Sequence, residues 1–312
     1  MPTAIVNATT NEIENVIVAS TSDPVSGGAS LVAKTSAQLL NWPYAIDDSI
    51  GGGFPGYKAS GRTLVSQQGP AAGETTGVFV CAGQSNSPGA SFTNSQYTPK
   101  NAAKNQTLDL YTGAVHLAAD PLASGSAASG SAGSWGGRLA DKLIDAGIFQ
   151  RVIIAPASIG GTPISMWTST GNYYGNGAQG CCLERILVGV RRVRALGLSV
   201  SGFLWVQGEN DQFDGTSQAT YQAALTSIIA SVRSRGTGFQ APWFVGLCTY
   251  NSGNTSSAVR AAQTAVVNGS DIFHGGDTDT IGAGSRHDNV HFNATGADSA
   301  AGLWKTALDA VF

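Results

Sequence analysis

The stretch VFVCAGQSN, residues 78–86, decides how the rest of this chain is read. Five apolar residues run directly into Gly-Gln-Ser-Asn, with nothing polar between them. A short, continuous and β-rich run of this kind suits a strand covered on both faces, as in a parallel sheet. The strand then ends by delivering Ser85 from a turn that begins with glycine. One reading is an ordinary strand-to-helix turn in which Ser85 and Asn86 cap the next helix. The other is a nucleophile on a strand-to-helix elbow, which requires a base, an acid and oxyanion donors from elsewhere in the chain.

Working outward, strands and helices alternate from about Thr75 onward. GVFVCA (77–82), RVIIAPA (151–157), VSGFLWVQ (200–207) and PWFVGLCTY (242–250) read as strands, and DIFHGGD (271–277) as a short fifth. Between and after them, WGGRLADKLIDAG (135–147), LERILVGVRRVRALG (183–197), SQATYQAALTSIIASVRSR (217–235), SSAVRAAQTAVVN (256–268) and NATGADSAAGLWKTALDAVF (293–312) carry helical spacing. The first two of these helices stop at glycine. This alternation predicts an α/β fold, a three-layer α/β/α sandwich around a parallel, doubly wound sheet. Ligands of such sheets bind beyond the carboxyl ends of the strands, so functional motifs should follow strands. Residues 1–74 read differently: NEIENVIVAS, GASLVAK and GRTLVSQQG are short β-type pieces, an arm or small module ahead of a domain spanning 75–312. IGGGFPG (50–56) lacks the preceding strand and following helix of a nucleotide loop. LASGSAASGSAGS (122–134) is low in complexity and reads as a surface loop.

Composition narrows the function classes. A net charge of −3, from 17 basic and 20 acidic residues, gives no electrostatic reason to expect nucleic acid or an anionic membrane as partner. The basic run Arg191–Arg194 sits in a helical pattern and reads as a solvated face complementing a helix C-terminus. Charged residues make up only 12%, and Gly, Ser, Thr, Ala and Asn take their place. Such a surface points to an extracellular or particle-associated protein and leaves a cytoplasmic one open. No apolar run reaches the roughly 20 residues that a membrane helix needs. The opening stretch lacks a basic segment ahead of an apolar core, so it does not read as a secretory leader. Of four cysteines, Cys81 and Cys248 lie in strand-like apolar runs and read as buried hydrophobes. Cys181 and Cys182 are adjacent, which is no metal-site spacing, and a disulfide from one of them stays open.

Three further stretches accompany GQSN. SIGGTPISMW places Gly160 and Gly161 beyond the 151–157 strand, and WVQGEND places Glu209, Asn210 and Asp211 beyond the 200–207 strand. RHDNVHF sets Asp288 three residues before His291, with His287 as a nearby competitor. Each alone has a plain structural explanation as a turn or cap. Together at one end of one sheet they assemble a hydrolytic site. A serine hydroxyl needs a base within hydrogen-bond reach, and imidazole titrates close to working pH. The second ring nitrogen needs an acceptor, which Asp288 supplies if the intervening residues turn. Negative charge developing on a carbonyl oxygen would be met by the Ser85 N–H, a glycine N–H at Gly160 or Gly161, and the Asn210 amide. Such donors are worth roughly 2.7–4 kcal/mol each. Trp205 and Trp167 read as core packing, although Trp167 follows the glycine loop and has an alternative as a substrate-facing wall. Asp277 and Asp279 offer too few ligands in register for a calcium loop.

The ordered blocks GQSN, GGTPISMW, WVQGEND and DNVHF resemble the SGNH (GDSL-type) hydrolase superfamily. Within it they are similar to the sialic-acid-acetylesterase-like and family 6 carbohydrate esterases. The resemblance covers residues 75–312 and implies a flavodoxin-like sandwich. It implies Ser85 as nucleophile, His291 as base and Asp288 as the acid that orients it, with Ser85, Gly160 and Asn210 forming the oxyanion hole and Gly161 as the alternate donor. It casts Gln84 and Gln207 as structural glutamines flanking the site, and lets Glu209 share the acid's role. The implied reaction removes an O-acetyl group from a carbohydrate, such as acetyl-xylan, sialic acid or another polysaccharide, without metal or cofactor. Two alternatives stand beside it: a lipase or thioesterase of the same superfamily, and a glycan-binding adhesin or phage-tail module with a hydrolase-like domain.

Overall fold

The computed structural model describes residues 2–6, 13–18, 73–170 and 182–312. The pieces GASLVAK, IGGGFPG and GRTLVSQQG, together with Cys181, lie outside the described residues. Near the N-terminus, β1 (Pro2–Val6) and β2 (Ile13–Val18) pair antiparallel.

The remaining elements follow the expected alternation from the helix at Gly136 onward, whereas four strands absent from the sequence reading lie between the 76–83 strand and that helix. The elements are β3 (Thr76–Gly83), β4 (Ala90–Ser91), β5 (Asn105–Leu108), β6 (Val115–Leu117), β7 (Ser126–Ala127), α1 (Gly136–Asp145), β8 (Arg151–Pro156), α2 (Leu183–Ala195) and β9 (Gly202–Val206). After these come α3 (Glu209–Phe213), α4 (Gln218–Arg233), β10 (Trp243–Leu247), α5 (Ser257–Ala265), β11 (Ile272–Asp277) and α6 (Ala294–Asp309). Seven strands form the central sheet in the order β11-β10-β9-β3-β8-β5-β6, parallel throughout except for the edge strand β6.

Alternate side chains of each strand feed two separate cores, because successive residues point to opposite faces. Val78, Val80, Ile153, Ala155, Phe203, Trp205 and Val245 face one layer, built on α2, α4 and α5. Phe79, Cys81, Val152, Ile154, Leu204, Val206 and Phe244 face the other, built on α1 and α6. This two-sided burial is why the strands read as unbroken apolar runs. Three helices start where a side chain accepts a backbone N–H: Ser217 from Thr220, Ser256 from Val259 and Asn293 from Gly296. Among the described residues, no helix is long and apolar enough to cross a membrane.

Two sequence expectations are corrected. The 122–134 stretch is not simply a surface loop: Leu122, Ser124, Ser126, Ala132 and Ser134 are buried. Its β7 pairs with β4, and a Cβ on Gly133 would lie 2.0 Å from the Ser95 carbonyl oxygen. The small residues that looked like low complexity permit close backbone approach. In the basic run of α2, Arg192 is buried rather than solvated, and donates to the carbonyls of Leu110 and Tyr111. Burial lowers its pKa, and carbonyl acceptors offset part of the cost of desolvating it.

Candidate active site

Chain order in the sheet reverses at β3, which lies between β8 and β9. That is the point where a doubly wound sheet opens a crevice at its carboxyl edge. Residue 83 makes the transition possible. Gly83 has φ 123°, and a Cβ there would stand 1.9 Å from the Val206 carbonyl oxygen. Only glycine fits both the backbone conformation and the contact with β9. The turn then presents Ser85, which is 6% exposed.

Ser85 Oγ lies 2.8 Å from His291 Nε2, although the two residues are 206 positions apart. His291 Nδ1 lies 2.6 Å from Asp288 Oδ2. The carboxylate fixes the tautomer: Nδ1–H donates to Asp288, which leaves Nε2 to accept the serine proton. Asp288 Oδ1 also accepts the N–H groups of Val290 and His291, at 2.9 and 2.6 Å. Asn289, at φ 65°, supplies the turn that the three-residue step demands. Partial burial works against the Asp288 carboxylate, but hydrogen bonds from the His291 ring and from the two backbone N–H groups outweigh it. The pKa falls to about 2. His287 sits beside this pair without joining it: Nε2 lies 3.0 Å from the Phe92 carbonyl oxygen, and Nδ1 is 4.0 Å from Asp288.

A cavity of about 400 Å3 opens over the serine, lined among others by Gln84, Phe92, Ser126, Gly160, Gly161 and Asn210. The structure therefore brings the expected oxyanion donors to one place. Gly160 N–H donates to Ser126 Oγ at 3.1 Å, and Asn210 Nδ2 to the Gly161 carbonyl at 3.1 Å. A Cβ on Gly160 would lie 2.5 Å from Phe92 Cζ, so a side chain at that position would displace the Phe92 ring. Gln84 Oε1 accepts from Gln207 Nε2 and Asn210 N, both at 3.2 Å, which ties the serine turn to the start of α3. Gln207 also donates to Asp211 and to the Thr162 carbonyl, reaching the glycine loop.

Glu209 lies at the cavity wall, 2% exposed. Burial raises its pKa to about 7, against the pull of a hydrogen bond from Asn86. The acid hydrogen-bonded to His291 is Asp288, whereas the Glu209 carboxyl accepts from Asn86. The alternative reading of Trp167 as a substrate wall is overturned. Its ring is fully buried, packs edge-on against Trp205, and donates Nε1–H to Thr162. The short turn Ile164–Trp167 folds back into the core because Asp211 accepts the Ile164 N–H. Asp277 and Asp279 are both engaged by Arg260. Among the described residues, the donor atoms close enough to share a cation belong to His287, Asp288 and His291. Two of those three are already engaged in the serine's hydrogen-bonded line.

Sequence reading missed Phe92, whose ring stacks on the His291 ring at 5.1 Å between centroids. It also missed Ser126 and Asn251, which line the cavity. No motif flags a lone phenylalanine, or a serine in a Gly-Ser-Ala stretch. Pairing of β4 with β7 brings the first two together.

Comparisons with known proteins bear on the family and the fold. A family model described as carbohydrate esterase, sialic acid-specific acetylesterase, matches residues 75–305. A solved structure of a protein from Arabidopsis thaliana is similar at TM-score 0.60 and 19% identity, covering 77% of this chain and 99% of that one. A carbohydrate acetylesterase from Xanthomonas citri is similar at TM-score 0.51 and 16% identity, covering 75% of this chain and 56% of that one. At such identities the likeness is one of fold. No curated protein sequence matches this chain.

Proposed function

The chain belongs to the carbohydrate esterase family of sialic acid-specific acetylesterases, and from that premise we propose that it removes O-acetyl groups from a carbohydrate through an acyl-serine intermediate. The observation that carries this reading is the unbroken hydrogen-bonded line Ser85–His291–Asp288 at the mouth of the cavity. Ser85 Oγ attacks the acetyl carbonyl while His291 Nε2 takes its proton. Asp288, ionised across the working pH range, stabilises the imidazolium through Nδ1–H. The carbonyl oxygen gains negative charge, and in this reading the Ser85 N–H, the Gly160 N–H on leaving Ser126 Oγ, and the Asn210 amide receive it. His291 then returns the proton to the departing sugar oxygen. A water deprotonated by the same nitrogen releases acetate from Ser85.

Phe92 lies against both His291 and Gly160, and this reading assigns its ring to the acyl end of the cavity, where it would favour a short chain. Phe92→Ala should therefore raise turnover of p-nitrophenyl butyrate relative to acetate. An unchanged preference would remove Phe92 as the limit, and a wild-type preference for long chains would favour a lipase.

The direct test is hydrolysis of p-nitrophenyl acetate. Ser85→Ala and His291→Ala are each expected to lower kcat by on the order of 10^4–10^6, with unaltered circular dichroism. Full activity in Ser85→Ala would refute the esterase mechanism, whereas a wild-type protein that binds acetylated glycans without releasing acetate would indicate a binding module.

A further inference from the structure

The residue after the nucleophile has no role in the mechanism above, yet its side chain is 3% exposed and fully engaged. Asn86 Nδ2 donates to Glu209 Oε1 at 2.9 Å and to the Val290 carbonyl at 3.1 Å. Its Oδ1 accepts the Phe292 N–H at 3.4 Å. The orientation of this amide is unambiguous, because the flipped form would set an oxygen against a carboxylate and a carbonyl. Val290 and Phe292 flank His291 in the chain. The amide thus grips the backbone on both sides of the imidazole from a position adjacent to Ser85. Its own main chain is fixed in turn, since the Asn86 carbonyl accepts Trp135 Nε1–H at 2.8 Å.

We propose that Asn86, backed by the Glu209 carboxyl, is the positioning residue that holds His291 in line with Ser85. This rests on the esterase reading and deepens it. The Asp288 hydrogen bonds orient the ring within its own loop but do not fix that loop relative to the serine. The His287 N–H to His291 carbonyl bond and the Arg286–Phe292 bridge are likewise internal to residues 286–292. Other contacts tie this segment to the body, such as His287 to the Phe92 carbonyl, but Asn86 links it from the residue next to Ser85, at a buried place where each lost partner leaves an unsatisfied group. Glu209 keeps the amide from rotating away by accepting its second proton. Arg286 also donates to the carbonyls of Ile281 and Thr278, and Tyr250 and Ser252 donate to Asn289, so the loop stays attached when the amide is removed while its alignment with Ser85 is lost.

Asn86→Asp retains shape but removes both N–H donors and sets a second carboxyl against Glu209. Its kcat on p-nitrophenyl acetate should fall by about 100-fold, the effect of a misplacement on the order of 1 Å, with KM essentially unchanged. Adding Glu209→Gln to Asn86→Asp restores a donor–acceptor pair of reversed polarity and should recover part of the lost kcat. Glu209→Leu removes the backing alone and should reproduce a smaller loss of kcat, which supplies the test if Asn86→Asp does not fold. Wild-type kcat in Asn86→Asp, or a double variant no better than Asn86→Asp alone, would overturn the proposal. Failure of the esterase reading looks different, because Ser85→Ala would then retain turnover regardless of Asn86.

Discussion

His291 is surrounded by three kinds of contact: a carboxylate at Nδ1, a hydroxyl at Nε2 and a stacked phenyl ring on its face. The first two were legible in the sequence, because hydrolytic chemistry restricts the residue types and Asp-x-x-His is local. The third was not, since stacking can be served by any large apolar side chain brought in by distant pairing. Glu209 gives the residue scale its pH prediction. Its pKa stands raised from 4.5 to about 7 because the folded state desolvates the carboxylate. A carboxyl raised in this way binds its proton more tightly folded than unfolded. The stability it contributes is therefore fully present below pH 4.5 and lost as pH rises through about 7. Glu209→Gln removes that titration. The variant should melt higher than wild type at pH 8, with the difference shrinking toward pH 5; a pH-independent difference would contradict the assignment. Asp288 has the opposite sign, so its contribution holds above pH 3.8 and is lost only as pH falls through about 2.

At the scale of elements, the strand ends carry most of the design. β3 ends in a glycine whose replacement would force a Cβ into β9 and a non-glycine residue into the left-handed region. Gly83→Ala should cost about 1–3 kcal/mol in backbone strain alone, lower Tm and abolish turnover by displacing Ser85. An active, normally melting variant would show that the turn tolerates rearrangement. The main strands and helices of the 75–312 region were readable because two-sided burial and amphipathic periodicity are strong signals. The β5–β6 hairpin and the β4–β7 pair were not. Asn105, Gln106 and Thr107 are buried polar residues, so β5 has no apolar pattern to detect. Asn105 instead donates its amide N–H groups to Asp141 and the Gly137 carbonyl of α1, a tertiary solution that no local rule reveals. Arg192 was misread for the same reason: its acceptors lie on a loop about 80 residues away.

Taken whole, the molecule gathers residues from four separate connections at the carboxyl edge of one sheet. The reversal of strand order at β3 is what lets turns from β3, β8 and β9 and the loop before α6 converge. Glu74 and Thr75 already belong to this body, since Glu74 pairs with Arg151 and Thr75 donates to Gln150. A fragment of residues 73–312 should accordingly retain wild-type kcat on p-nitrophenyl acetate. A fragment that folds but is inactive would assign the preceding residues a part in the site. The most direct test of the central claim is rapid-quench mass spectrometry of the protein mixed with p-nitrophenyl acetate, followed by peptide mapping. A single acetyl group is predicted on Ser85, absent in both Ser85→Ala and His291→Ala. An acetyl group on another residue during turnover, or sustained turnover in Ser85→Ala, would contradict it.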